Sequence, residues 1–149
     1  MPSRSGTSVH LGAVTVRYVY SEAARPYSLI EWIAPAGTES PPVHIHHRTD
    51  EGFYVLDGTF GFLLDDQRFE AAAGSHVFVS RGHPHTFWNS GRELATCLIV
   101  LSPAGFEEYF RELADGLAAS ESDDAVMAVR RRLSSRYDIE VVGPPIPAR

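Results

Sequence analysis

Lysine is absent from this sequence, and acidic residues outnumber basic ones. All thirteen basic residues are arginine, and the formal net charge is −6. Without lysine the chain has no side-chain amine that could form a Schiff base, which excludes that kind of covalent catalysis. The acidic balance argues against a general nucleic-acid binder, because phosphate contacts need a basic surface. We therefore expect no nucleic-acid partner.

Cysteine and long apolar runs are also scarce. Cys97 is the single cysteine, so no disulfide can form within the chain. Its apolar surroundings, LATCLIVL over residues 94–101, predict a buried and unreactive thiol, since reactive thiols need an exposed, electropositive setting. No apolar run approaches the ~20 residues of a membrane span, and the first ten residues lack the apolar segment of a signal peptide. We therefore expect a cytoplasmic protein with no membrane partner.

Short segments rich in Val, Ile, Tyr, Phe and Trp fill the chain from Val9 to Leu101. Turn-forming sequences such as LDGT and SRGHP separate them. The predicted strands span residues 9–20, 27–35, 43–47, 52–56, 59–64, 76–80, 85–89 and 93–101. This spacing predicts an all-β sandwich or barrel, and a length of 149 residues suits a single domain.

The pattern becomes helical after Ser102, which can cap a first helix with Pro103 at its first position and Gly116 at its end. One apolar stripe lies along this helix: Phe106, Tyr109, Phe110 and Leu113. The stripe needs a partner surface, so we expect the helices to pack outside the strands or across the mouth of the barrel. A second helix is predicted over residues 123–135, and Gly143-Pro144-Pro145 is expected to end regular structure.

The stretch HIHHRTDE, residues 44–51, contains three histidines and a glutamate. Residues two apart share one face of a strand, so His44 and His46 point the same way and His47 points to the other side. A hairpin can bring Glu51 of the returning strand beside the pair. A further histidine could come from the segment GSHVFVSRGHPHTFWN, where His83 and the histidine at position 85 are both available. Imidazoles with one carboxylate form a site suited to divalent Fe, Mn, Ni, Cu or Zn.

These residues also fit the first motif of the cupin superfamily, which this chain resembles. The motif runs from Gly37 over six residues to His44 and His46, then over four residues to Glu51 and over six to Gly58. The family has five residues in the first gap, so only that spacing departs, by one.

The second cupin motif also has a counterpart. Here it runs from Gly74 over five residues to Ser80, with Gly82 two positions on, then over two residues to His85 and over three to Asn89. Ser80 replaces the usual proline, which shapes a turn and does not bind metal.

The resemblance covers residues 37–89 and implies a jelly-roll β-barrel over residues 1–102. Residues 103–149 would form a C-terminal helical extension of the same domain. It further implies that four side chains converge inside the barrel on one divalent transition metal, leaving out His47 and His83. The implied ligands are His44, His46, Glu51 and His85.

A finer resemblance joins HHRTDEGFYVLDG and the later SPAGFEEYF to small monocupins similar to quercetin 2,3-dioxygenases. It implies an O₂-dependent dioxygenase acting on an enolisable or phenolic small molecule, flavonol-like or polyketide-like, with Glu51 as general base. Phe53 shares strand parity with Glu51, and Phe87 shares it with His85, so these two phenylalanines are predicted to line the substrate pocket.

Two other classes of function stay open on the sequence. One is a non-oxidative cyclase, isomerase or lyase of secondary metabolism that uses the same metal as a Lewis acid. The other is a non-catalytic small-molecule binder. The family resemblance also implies a homodimer, with the strand region 9–20 as the paired edge.

Overall fold

The computed structural model describes residues 5–147. Residues 1–4 of the predicted β-barrel range 1–102 and residues 148–149 of the predicted extension 103–149 lie outside the described residues. Within it, the chain forms eleven strands and two helices. Neither helix is long and apolar enough to cross a membrane.

The elements follow one another along the chain as a run of ten strands, a pair of helices and a last strand. They are β1 Ser8–Leu11, β2 Val14–Tyr20, β3 Ser28–Ala34, β4 Pro42–His46, β5 Asp50–Asp57, β6 Thr59–Leu64, β7 Gln67–Ala72, β8 His76–Val79, β9 His85–Asn89, β10 Ala95–Ser102, α1 Glu108–Ala118, α2 Asp123–Tyr137 and β11 Ile139–Pro145.

The strands form two antiparallel sheets. The six-stranded sheet has the order β1-β2-β3-β10-β5-β8, and the five-stranded sheet has the order β11-β4-β9-β6-β7. The all-β prediction is confirmed, and the arrangement is jelly-roll-like. The predicted barrel is not closed, however, because the described strands stay in two separate hydrogen-bonded sheets.

The core lies between the two sheets. Buried and partly buried residues alternate along β3 and β10, as expected for strands with one face inward. Phe53 of the six-stranded sheet meets Phe62 and Phe87 of the five-stranded sheet with ring centroids 5.2 and 4.9 Å apart. This aromatic packing holds the two sheets face to face, so inward side chains of both sheets share one interior.

The predicted strand over residues 9–20 is two strands. The backbone turns at Gly12, whose φ of +60° is a conformation that glycine adopts without steric cost. The strand β7 was missed because QRFEAA contains only one large apolar residue, Phe69, and lies at the edge of its sheet.

The first helix begins later than predicted. Ser102 is the last residue of β10, and α1 begins at Glu108. Gly116 lies inside α1 rather than at its end, and a Cβ placed there would lie 2.5 Å from Cγ1 of Val129 on α2. Glycine at this position therefore serves close packing of the two helices. The second helix begins at the predicted Asp123, where the Ser122 side chain accepts a hydrogen bond from the Ala125 amide.

Regular structure ends at Pro145, within the predicted Gly143-Pro144-Pro145, but the sequence did not predict that these residues belong to a strand. Residues Ile139–Pro145 form β11, which pairs with β4 at the edge of the five-stranded sheet. Prolines are tolerated there because an edge strand needs only one row of ladder hydrogen bonds. The segment after Ser102 is thus not purely helical, since it also supplies a strand to the sheet that carries His44 and His46.

Candidate metal centre

Three strands bring the four predicted side chains together between the sheets. His44 and His46 lie on β4, the third histidine lies opposite His44 on β9, and Glu51 comes from β5 of the other sheet. All four side chains are buried, and each offers a ligand atom within 4.8 Å of the others: His44, His46, Glu51 and His85. Two ligands of one ion at bonds of about 2.1 Å lie up to about 4.2 Å apart, so small side-chain rotations suffice for them to share an ion.

Backbone carbonyls orient two of the imidazoles. Nδ1 of His44 donates to the Pro42 carbonyl at 2.7 Å, and Nδ1 of His85 donates to the His83 carbonyl at 2.9 Å. A carbonyl only accepts, so both rings carry a proton on Nδ1. Their Nε2 atoms are the ones left for coordination, which is how metal-binding histidines are commonly held.

His46 has a different environment. Its Nε2 lies 2.8 Å from Oε1 of Glu51, yet neither ring nitrogen has a hydrogen-bond partner of suitable geometry among the described residues. A buried polar atom without a partner costs on the order of 1–3 kcal/mol. An ion bound between His46 and Glu51 would remove that cost at Nε2, so this imidazole fits a metal ligand.

Glu51 and His85 influence each other's protonation. Burial alone would raise the pKa of the Glu51 carboxyl, but the imidazoles of His46 and His85 outweigh burial and hold its pKa well below the ordinary value. Burial alone would lower the pKa of His85, but the hydrogen bond and the charge of Glu51 raise it. The Nε2 atom of His85 lies 3.3 Å from Oε2 of Glu51. The cluster thus holds an ionised carboxylate in the dry interior.

His44 stays neutral over the physiological range. Burial, together with the neighbouring imidazoles of His85 and His46, lowers its pKa to about 3. A neutral imidazole is the form that coordinates a metal. Three nitrogen donors and one carboxylate therefore fit a divalent Fe, Mn, Ni, Cu or Zn ion, and the donor set alone does not choose among these metals.

The two histidines that were predicted to stay out of the site lie at the surface. Nε2 of His47 is 2.8 Å from Glu140, and Nδ1 of His83 is 3.1 Å from Asp65. Both imidazoles are exposed and paired with carboxylates away from the buried cluster. The position of His47 at the surface follows from the alternation of side chains along an extended chain, since its side chain points to the side opposite to that of His46.

The predicted pocket residues Phe53 and Phe87 pack against each other in the aromatic core. Their role in lining a pocket stays a prediction. Phe78, on the neighbouring strand β8, is exposed, whereas Trp88 of β9 is buried over Gly61, where a Cβ would lie 2.3 Å from the indole.

Cys97 is fully buried in β10. Burial raises the pKa of its thiol well above the ordinary value. The predicted burial of the thiol is confirmed, and the raised pKa disfavours the thiolate, which is the reactive form.

Sequence reasoning missed one neighbour of the cluster. The ring of Phe106 lies against the imidazole of His46, with centroids 4.3 Å apart and planes at 87°. Phe106 was predicted only as part of the apolar stripe of the first helix, and that stripe is buried as expected. No local signal in the sequence joins position 106 to position 46, since the contact depends on where the segment after β10 crosses the sheets.

Comparison with known proteins finds the same family that the two sequence motifs resemble. Residues 30–101 match the Cupin domain family Cupin_2. Over 64 residues, or 43% of this chain, the sequence is 33% identical to the uncharacterized protein MJ1618 of Methanocaldococcus jannaschii. Over 46 residues, or 31% of this chain, it is 37% identical to a quercetin 2,3-dioxygenase of Bacillus subtilis. The aligned parts span 50% and 14% of those two proteins.

Solved structures share the fold. KdgF from Halomonas sp. superposes with a TM-score of 0.61 at 16% identity, covering 68% of this chain and 90% of that one. An RmlC-like cupin from Shewanella frigidimarina gives 0.58 at 20% identity, covering 66% and 85%. The cupin domain of Schizosaccharomyces pombe Cnp3 gives 0.57 at 20% identity, covering 70% of each chain. At these identities the likeness concerns the fold alone.

Proposed function

This chain belongs to the cupin superfamily, and we propose that its buried cluster binds one divalent transition metal and forms the active site of an enzyme. The observation that carries the proposal is the convergence of three imidazoles and a carboxylate, in which His46 makes no hydrogen bond of suitable geometry to the residues that the structure describes. The reaction we propose is a dioxygenation of an enolisable or phenolic small molecule, flavonol-like or polyketide-like. The local identity to a quercetin 2,3-dioxygenase supports that choice of reaction.

A metal held by these four residues would supply Lewis acidity toward substrate oxygens and a means of engaging dioxygen. The residues themselves set the conditions for this chemistry. His44 and His85 present Nε2 because carbonyls occupy their Nδ1 atoms. A single carboxylate among four donors leaves a net positive charge on the loaded site, which favours an anionic, deprotonated substrate.

Glu51 has a second role in this proposal. It is the carboxylate of the cluster and is ionised, and coordination of a substrate oxygen to the metal would make the substrate hydroxyl acidic enough to give up its proton. A substrate hydroxyl within hydrogen-bond reach would lose its proton to Glu51 as the substrate binds. Glu51 would therefore act as general base in addition to being a ligand.

The surroundings of the cluster are apolar and exclude water. Phe106 packs on His46, and Phe53 and Phe87 lie in the aromatic core between the sheets. An interior of this kind strengthens the electrostatic interaction of Glu51 with a bound substrate. We propose that Phe53 and Phe87 line the part of the site that receives the apolar body of the substrate.

Oxygen consumption tests the reaction class. Protein purified without an affinity tag is analysed for bound metal and then assayed with flavonol-like and polyketide-like substrates in an oxygen electrode. We expect substrate-dependent oxygen uptake that stops in an anaerobic chamber. Product formation that continues unchanged without oxygen would instead establish the cyclase, isomerase or lyase alternative, and ligand binding without turnover would establish a binding protein.

The Glu51→Gln variant separates the two roles of the glutamate. Three imidazoles remain to hold the metal, so we expect metal to be retained at lower affinity while turnover is lost. His44→Ala is the matched comparison and should lose both metal and turnover. A Glu51→Gln variant with wild-type turnover would show that Glu51 is not the base.

We also propose that the protein is a cytoplasmic homodimer. The strand β1 lies at the edge of the six-stranded sheet, and an edge strand offers unpaired backbone groups to a second copy. Light scattering at micromolar concentration should give twice the 16.4 kDa mass of one chain. A mass of one chain at that concentration would contradict the homodimer.

A further inference from the structure

We propose that Phe106 controls access to the metal centre and that Glu107 holds Phe106 in this position. The inference rests on the proposed metal site, and it assigns roles to two residues outside both cupin motifs. Phe106 would determine which molecules reach the metal, and Glu107 would be a positioning residue that acts through Phe106.

The four proposed ligands are enclosed. Their exposed fractions range from 1% for His85 to 7% for His44. Little of their surface is open to solvent, so the side chains that cover them limit how a substrate oxygen reaches an ion at this cluster. Phe106 is such a side chain, because its ring lies on His46 at 4.3 Å and is itself 5% exposed.

A surface cavity lies next to the segment that carries Phe106. It has a volume of about 280 Å³, and its walls include Gly105 and Glu107, the two neighbours of Phe106, together with Tyr137. The ring of Phe106 is also 6.1 Å from the ring of Tyr137. Phe106 thus contacts the buried cluster through His46 and a wall of the cavity through Tyr137. Phe106 is not itself among the residues that line the cavity, and we infer that a movement of its ring would open a path from the cavity toward the cluster.

Phe106 lies in a turn between β10 and α1, where its carbonyl accepts a hydrogen bond from the Tyr109 amide at 2.8 Å. Glu107 anchors this turn to the sheets. Its carboxylate accepts hydrogen bonds from the hydroxyls of Ser21 and Ser28 at 2.9 Å each and from the Gly105 amide at 2.6 Å. The hydroxyl of Tyr18 donates to the Glu107 carbonyl at 2.7 Å.

The Glu107 side chain is an unusual choice for a purely structural position. It is 2% exposed, and among the described residues no cation lies within ion-pair distance of it. A buried carboxylate without a cation is costly, and several hydrogen bonds are needed to offset the lost hydration. Those bonds join the segment around Phe106 to the end of β2 and the start of β3. The carboxylate therefore sets the position of Phe106 relative to the sheets.

The neighbours of Phe106 indicate what would take its place. Its ring stacks on Tyr109 with centroids 5.0 Å apart and planes at 21°, while His46 meets it edge to face. A displaced Phe106 would leave a space with one flat wall, the ring of Tyr109, and with the imidazole of His46 nearly perpendicular to that wall. An aromatic ring that stacks on Tyr109 and meets His46 edge to face fits this space better than a polar or branched group. The substrate class favoured is therefore a planar aromatic with an oxygen directed at the metal.

The test uses Co(II)-loaded full-length protein and measures the rate at which EDTA removes the metal and the rate at which azide changes its visible absorption. Phe106→Ala should raise both rates by about tenfold or more, because the covering ring is gone. Phe110→Ala is the matched control. Phe110 is also buried and packs on Phe106 and Trp32, but it makes no ring contact with the imidazoles of the cluster. Its rates should stay near those of the wild type.

Thermal unfolding of both variants is recorded alongside, so that loss of stability is separated from loss of cover. If Phe106→Ala proves too unstable to load, Phe106→Leu replaces it and should give a smaller increase in the same direction. Rates for the Phe106 variant equal to those of Phe110→Ala would overturn the access role while leaving the metal site intact. Wild-type protein that binds no Co(II) would instead overturn the proposed metal site.

Glu107→Gln tests the positioning role. The glutamine side chain is neutral, so it loses the charge-assisted hydrogen bonds that the Glu107 carboxylate accepts from Ser21, Ser28 and Gly105. We expect faster removal of Co(II) by EDTA than in the wild type. In the Phe106→Ala background the same substitution should cause no further increase, because its effect on access runs through the missing ring. Additive rate increases in the double variant would show that Glu107 acts on overall stability and not through Phe106.

Discussion

The strands of residues 30–101 and the segment of residues 103–147 contribute to the candidate metal centre in different ways. The strands carry all four proposed ligands, on β4, β5 and β9. The later segment carries none of them, but it covers the cluster with Phe106 and adds β11 beside β4. The ligands lie on strands of the two sheets, whereas the cover lies in a turn that is held by its own backbone hydrogen bonds and by the side-chain bonds of Glu107.

This difference separates what holds a metal from what reaches it. Ligands on neighbouring strands keep their spacing because the sheets fix the backbone. A covering residue in an irregular segment can move without disturbing the ligands. We therefore expect changes in the strands to alter metal binding, and changes in the later segment to alter stability and access.

The largest effect is expected from removing a ligand. His85→Ala takes away one of three nitrogen donors and should lower metal affinity by at least about 100-fold, since even changes to residues that only orient ligands cost 10–100-fold. Elemental analysis of purified protein measures it. His47→Ala is the control, because its imidazole pairs with Glu140 at the surface, and it should keep full metal content. Full occupancy in His85→Ala would refute the assignment.

Removing the later segment should unfold or aggregate the protein. Truncation after Ser102 uncovers the surface that buries Phe106, Phe110 and Leu113. Each such side chain contributes about 1.5–3 kcal/mol by burial, against a typical total stability of about 5–15 kcal/mol. Circular dichroism and light scattering measure the outcome. A shorter truncation after Tyr137 removes only β11 and should be less severe. A stable, monodisperse product of the longer truncation would contradict the covering role.

A smaller loss is expected where the two helices touch. Gly116→Ala places a methyl group 2.5 Å from Cγ1 of Val129 and should cost about 1–3 kcal/mol in urea denaturation. Metal content should not change. Gly91→Ala is the control, because its nearest contact would be Asn89 at 3.4 Å, and it should stay within about 0.5 kcal/mol. At an exposed position within a helix, the same Gly→Ala substitution would increase the free energy of unfolding, because alanine favours the helix more than glycine does.

The smallest effect concerns protons released on metal binding. The pKa of His85 is raised by Glu51, so below that pKa a metal must displace a proton from this imidazole. Apparent affinity should therefore fall by up to about tenfold per pH unit as the pH decreases. His44 has a pKa of about 3, so above about pH 4 it is already neutral and releases no proton when the metal binds. Calorimetry in two buffers with different ionisation enthalpies counts the protons. Binding without proton release near neutral pH would contradict the coupling of His85 to Glu51.

Much of the strand arrangement was predictable because its signals are local. The alternation of residue types, the turn sequences and the parity of HIHH depend on a few adjacent residues. The strands that were missed have weak local signals. The edge strand β7 has one large apolar residue, and β11 contains two prolines that normally argue against a strand. Both strands form because a neighbouring strand offers hydrogen bonds, and that neighbour is distant in sequence.

The start of the first helix was misplaced for a similar reason. Ser102 and Pro103 match a helix start, but the ladder with β5 continues to Ser102, which pairs with Asp50. The contacts of the sheet thus override the local capping preference. Gly116 was read as a helix end, whereas the approach of Val129 requires glycine inside the helix.

By itself, the sequence determined the residue types at the candidate centre and the faces on which they lie. Backbone geometry repeats every two residues in a strand, so His44 and His46 share a side wherever that strand lies. Only the tertiary structure decided that His46 meets Glu51 without a hydrogen bond of suitable geometry to any described residue and that Phe106 covers it. Both follow from side chains distant in the chain meeting in one interior, where close packing and the loss of water, rather than local preference, determine the neighbours.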